Sequence, residues 1–163
     1  MRTIFTVSLG LTATVALPAL VQAQSIDDLI HRGTTAQALG DYVAAEAIWQ
    51  QIVQLVPEYV DGYIQLGNVL YFQKKYKESE VAYREAIRLD PTNARVYTNL
   101  GIILSEQGRY EEAEMALREA IRFDPAFADA YTNLGIALFI QGQLVDANAA
   151  FEEANRLRDE NSL

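Results

Sequence analysis

The chain of 163 residues has no cysteine, one histidine, four prolines and only 13 basic residues against 22 acidic ones. Without cysteine there is no disulfide scaffold, thiolate zinc site, CxxC redox pair or bacterial lipobox anchor. A lone histidine, His31, leaves neither a Cys–His pair nor a multi-histidine metal cluster. The net charge of −9 disfavours nucleic acid and anionic membranes as partners, since both repel an acidic chain at long range. There is no GxGxxG, no phosphate-binding loop and no calcium-loop spacing. Carboxylates cluster at Asp27-Asp28, Glu111-Glu112-Glu114 and Glu152-Glu153, with the spacing of solvated helix faces. The sequence thus carries no catalytic constellation, no metal site and no cofactor site.

What is present begins with an apolar leader. Arg2 precedes an apolar run over Ile4–Leu20, Pro18 interrupts its end, and Val21-Gln22-Ala23 places small side chains at a cleavage site. Residues 1–23 read as a cleaved secretory signal peptide, the alternative being a retained anchor. Cleavage removes Arg2 and leaves 12 basic residues against 22 acidic ones, a charge of −10. The expectation is an exported protein, periplasmic or extracellular, without stable membrane insertion. The short leader and tyrosine-rich repeats favour a bacterial source.

The remainder, 24–163, is periodic. Pro57, Pro91 and Pro125 are each 34 residues apart, as are Gly33, Gly67, Gly101 and Gly135. Val96-Tyr97-Thr98-Asn99-Leu100-Gly101-Ile102 nearly repeats as Ala130-Tyr131-Thr132-Asn133-Leu134-Gly135-Ile136. Each period contains two amphipathic stretches of helical spacing. Gly40, Gly108 and Gly142 fall at the turn between them, where Lys74 stands in the second unit and predicts a slightly strained turn. Asp90-Pro91 and Asp124-Pro125 read as an N-cap followed by a first helical residue. The aromatic or large positions Trp49, Tyr83, Leu117 and Phe151 are expected to fill the gap between repeats.

With units at 26–59, 60–93, 94–127 and 128–161, the sequence resembles the tetratricopeptide repeat (TPR) family. Leu66, Leu100 and Leu134 precede the glycines, Tyr63, Tyr97 and Tyr131 take the first aromatic position, and Ala45, Ser79, Ala113 and Ala147 the small one. Arg32 and Ile52 depart from the pattern in the first unit, as a capping repeat would. The resemblance implies an all-α, right-handed superhelical solenoid of four helix-turn-helix units. It also implies a concave face lined by the first helix of each unit, and a protein or extended-peptide partner.

On that face one position reads His31, Gln65, Asn99, Asn133, each able to donate and accept a hydrogen bond. It looks like the asparagine ladder with which some relatives hold extended polypeptide; the alternative is that these side chains cap loops or face solvent. A neighbouring column contributes Asn68, Ile102 and Ile136. Tyr71, Phe72, Phe139 and Ile140 form an apolar wall, which marks either a contact site or packing between repeats. The two-carboxylate clamp of chaperone adaptors fits poorly: Asn68 and Asn99 match its asparagines, but Ile64, Asp129 and Asn133 occupy its basic positions. The leading expectation is an exported scaffold that binds a protein or peptide in its groove. The alternative is a self-associating module, a homo-oligomer that stacks through its uncovered last repeat.

Overall fold

A computed structural model describes residues 25–160; the leader expected at 1–23 lies outside the described residues. The described chain forms eight helices. They are α1 (Ile26–Ala38), α2 (Tyr42–Leu55), α3 (Val60–Phe72), α4 (Tyr76–Leu89), α5 (Ala94–Glu106), α6 (Tyr110–Phe123), α7 (Ala128–Ile140) and α8 (Leu144–Glu160). Each packs most extensively on its neighbours in sequence, and contacts also run directly from α5 to α7. The first helices of successive pairs therefore approach one another along one side of the stack. On the other side, cavities open between successive second helices.

Within each pair the turn is the same. Gly40, Gly108 and Gly142 have φ near +75° (76°, 74° and 78°), and Lys74 takes the same left-handed conformation at 61°. The next residue's amide then reaches back to a carbonyl in the last helical turn, Arg109 N to Leu104 O at 2.9 Å and Lys75 N to Leu70 O at 2.9 Å. This closes the helix end by the Schellman pattern. Lys74 thus holds a conformation that glycine adopts at lower cost.

Between pairs the structure corrects the capping expectation. Asp90 and Asp124 are C-caps of α4 and α6. Their carboxylates accept from Thr92 N (3.1 Å) and Ala126 N (3.0 Å), folding the short turn that contains each proline. The N-cap of α5 is Asn93, whose side chain accepts from Val96 N. Proline thus sits in the turn, two residues ahead of the cap.

In the core, Tyr83 and Leu117 join buried clusters that run into the following unit, and glycine sets how all four large side chains are seated. Trp49, Tyr83, Leu117 and Phe151 lodge first against the glycine of their own unit. A Cβ placed on Gly101 would lie 2.6 Å from Leu117 Cγ, and one on Gly135 2.6 Å from Phe151 Cε1. Gly67 stands in the same relation to Tyr83, and Gly33 to Trp49. Glycine lets the paired helices close over the large side chain; no other residue leaves that space. Adjacent units then meet through Leu66, Val69 and Leu70, and through Ile103 and Leu104, all buried. Apolar burial along the whole stack, not around one centre, stabilises the chain.

Candidate binding groove

The polar residues of the inner side form a bonded chain across three units. Trp49 Nε1 donates to Gln37 Oε1 at 2.7 Å, and Gln37 Nε2 donates to Gln65 Oε1 at 3.1 Å. Asn68 Nδ2 reaches the same oxygen at 3.5 Å. Asn68 Oδ1 in turn accepts from Tyr83 Oη at 2.7 Å and from Asn99 Nδ2 at 3.3 Å. Burial pushes the Tyr83 phenol well above its ordinary pKa, so it remains a neutral donor. Gln65 Nε2 and Asn99 Oδ1 have no partner among the described residues and remain available to a ligand.

Beside this chain lies an apolar wall. Phe72 stacks on Tyr42 with ring centroids 4.9 Å apart and 11° between planes, and meets Tyr71 edge-on at 5.6 Å. Asn68, Tyr71, Phe72, Tyr83, Asn99 and Ile102 enclose a cavity of about 190 Å³. Gln65 borders a second cavity of about 470 Å³, with Asp61, Asn93, Arg95 and Phe127 around it. The Gln65–Asn68 contact joins a residue lining one cavity to a residue lining the other, and the two cavities together make the candidate groove.

Of the residues singled out from sequence, Gln65, Asn68, Tyr71, Phe72, Asn99 and Ile102 share this groove. His31 does not join it; it borders a separate cavity at the first unit with Arg32, Thr35, Leu39 and Asp41. Asn133 turns back along its own helix and donates to Asp129 O at 2.8 Å. Ile136, Phe139 and Ile140 lie on the last unit, exposed, with Phe139 60% open to solvent. Tyr83 is the member that periodicity hides, because its position reads as core. The legible signal was its hydroxyl, which needs a partner once buried.

A second polar motif recurs between units. Gln73 Nε2 and Lys75 Nζ converge on Glu46 Oε2 at 2.8 and 2.6 Å. Gln107 Nε2 and Arg109 Nη1 do the same on Glu80 at 2.9 and 2.6 Å, and Gln141 Nε2 reaches Glu114 at 3.1 Å. Burial opposes ionisation of Glu46 and Glu80, but these donors outweigh it and hold both carboxyls below their ordinary range. Each unit is thereby clipped to the next. The ends cannot extend the clip: Asn148 replaces the glutamate in the last unit, and Leu39 and Asp41 replace the glutamine and cation in the first.

Among the described residues no group of three or more His, Cys, Asp or Glu side chains is placed to hold a metal ion, and no helix is long and apolar enough to cross a membrane. Stacked helix pairs with an amide-lined inner groove define an α-solenoid of the kind built to present an extended surface. Tetratricopeptide repeat models match residues 29–51, 62–126 and 98–162. The chain belongs to the tetratricopeptide repeat family. A crystal structure of MamA superposes with a TM-score of 0.82 at 23% identity, over 90% of this chain and 87% of that one. A structure of MamA from residue 41 onward, from Desulfovibrio magneticus RS-1, gives 0.79 at 22% identity, over 87% and 80%. These likenesses concern the fold alone. The comparison with curated proteins returned no match.

Proposed function

We propose that the protein is an exported, non-catalytic scaffold that holds an extended segment of a partner protein in its inner groove. The observation that carries this reading is the meeting of free amide groups on Gln65 and Asn99 with the Tyr71–Phe72–Ile102 wall. An extended peptide offers one backbone donor and one acceptor per residue, which such amides can satisfy whatever its side chains. The apolar cavity adds selectivity for one side chain of moderate size. The leader at 1–23 supplies the route out of the cytoplasm.

A photo-crosslinking residue at Asn99, compared with one at exposed Glu111, tests the reading in the native cell. Adducts with a defined protein from Asn99, absent from Glu111 and lost on Ile102→Asp, are the expected result. Identical adducts from both positions remove it.

The second reading, self-association through the last unit, draws on the exposed Phe139, Ile140, Leu144 and Val145. Against head-to-tail stacking stands the clip, because neither end carries the residues that would continue it. Light scattering over a range of concentrations separates the two readings; a monomer throughout excludes self-association.

A further inference from the structure

A repeat that ends a stack needs a polar outer face to stay in water. The last unit supplies one on only part of its surface. Along α8, Asn148, Glu152 and Asn155 are exposed, and Asn155 replaces Ile87 and Ile121, which pack into the core of earlier units. On α7 and the start of α8 the change runs the other way. Ser105, Glu106, Tyr110 and Glu111 of the third unit become Phe139, Ile140, Leu144 and Val145. These four are 60%, 50%, 55% and 82% exposed, and Ile136 beside them is 43% exposed.

The five side chains form one patch. Ile136, Phe139 and Ile140 share a side of α7 at helical spacing. Leu144 follows directly after the turn, and the residues equivalent to Phe139 and Leu144 in the second unit, Tyr71 and Tyr76, have ring centroids 6.0 Å apart. Between units, the residue ending a first helix seats on the residue opening the second helix of the unit before, as Phe72 stacks on Tyr42 at 4.9 Å. Leu144 opens the last second helix, and no later helix among the described residues covers it.

We propose that this patch binds a second copy of the chain, face to face about a two-fold axis. The pairing rests on the self-association reading above and gives it a geometry, a closed pair in place of a growing stack. At these exposures the five side chains present roughly 500 Å² of apolar surface. Two such patches bury about 1,000 Å² together, and the rim of Gln141, Gln143 and Asp146 brings the pair to the size of a small specific interface. A contact about a two-fold axis requires a surface that is its own complement. An apolar patch is one, and it holds no charge or directional polar group that a different partner would be needed to match. The chain carries a net charge of −9, yet here two copies meet without opposing carboxylates, because the equivalents of Glu106 and Glu111 are Ile140 and Val145. The polar face of α8 and the clip that ends at Asn148 leave no surface for a further repeat to continue the stack.

Sedimentation of the purified protein over a wide range of concentration tests the pairing. The expected result is a reversible monomer–dimer equilibrium that stops at the dimer. Phe139→Ser/Ile140→Glu copies Ser105 and Glu106, keeps the helices by circular dichroism, and weakens dimerisation about tenfold or more. Val145→Glu, which copies Glu111, weakens it independently, whereas Met115→Ser on the outer side leaves it unchanged. The chain has no cysteine, so Ile140→Cys gives one thiol per copy, and a two-fold axis at the patch lets a short bismaleimide link the two. A monomer at every concentration overturns the pairing and the self-association reading with it. Assemblies that keep growing, or a dimer that links no thiol, overturn the two-fold geometry alone. Undiminished dimerisation in both charged variants, or equal weakening by Met115→Ser, overturns the assignment to this patch.

Discussion

The contact between Gly101 and Leu117 can be tested by a double-mutant cycle. Leu117 is fully buried, so Leu117→Ala removes its transfer energy and leaves a hole, a loss of about 3 kcal/mol. Gly101→Ala puts a methyl 2.6 Å from Leu117 Cγ and 2.9 Å from Cδ2. Overpacking of that kind costs about 1–3 kcal/mol, offset by roughly 1 kcal/mol of helix propensity, because Gly101 lies inside α5. A net loss of about 1 kcal/mol follows from the balance of those two effects. If the sites were independent, the double variant would lose about 4 kcal/mol. The structure puts the new methyl into the space Leu117 vacates, so the clash vanishes and part of the hole is filled. The expected loss is then about 2–3 kcal/mol, a favourable coupling of about 1–2 kcal/mol. Urea unfolding of the four proteins, followed together by circular dichroism and by Trp49 fluorescence, measures it. Additivity within about 0.5 kcal/mol would falsify the packing argument.

Three further outcomes are expected. Lys74→Gly stabilises the chain by about 1 kcal/mol, since φ at that turn is 61°, while Gly108→Ala destabilises it by a similar amount; thermal melts read both. Glu80 is held below its ordinary carboxyl pKa, because the bonds from Gln107, Arg84 and Arg109 outweigh burial. Its contribution to stability is therefore present above the unfolded pKa near 4.5 and lost as pH falls through the lower folded value. Urea midpoints taken from neutral pH downward should drop less steeply in Glu80→Gln than in the parent. Tyr83→Phe removes the 2.7 Å bond to Asn68 and costs about 1 kcal/mol. The Asn99 side-chain amide resonances should shift with it, because both groups share Asn68 Oδ1; unmoved resonances mean the amide chain is not coupled.

The groove residues divide along a physical line. Gln65, Asn68 and Asn99 were legible as a polar column because helical spacing puts them on one side of the first helices. Asn133 matches Asn99 in the motif around it, yet it bonds its own helix: Asn99 donates back to Asn68 of the preceding unit, and the equivalent residue before Asn133 is Ile102, which offers no acceptor. His31 fails to join for a related reason: Gln37, not His31, reaches Gln65 from the first unit. Repetition in sequence makes such positions look equivalent, whereas each side chain's partners depend on which units flank it.

By itself the sequence determined the helices, their pairing, the left-handed turns and the family. These follow from a 34-residue period and from interactions within a few residues of chain, such as i to i+4 spacing and the closing of a helix end. Only the tertiary structure decided that Leu117 and its counterparts seat against their own unit's glycine, and that Asp90 closes a helix rather than opening one. It alone brought Asn68 to Asn99 and Gln73 to Glu46 across 31 and 27 residues of sequence. Contacts between units depend on how closely two helices approach and on which side chain fills the space first, and neither is encoded at any single position of the repeat.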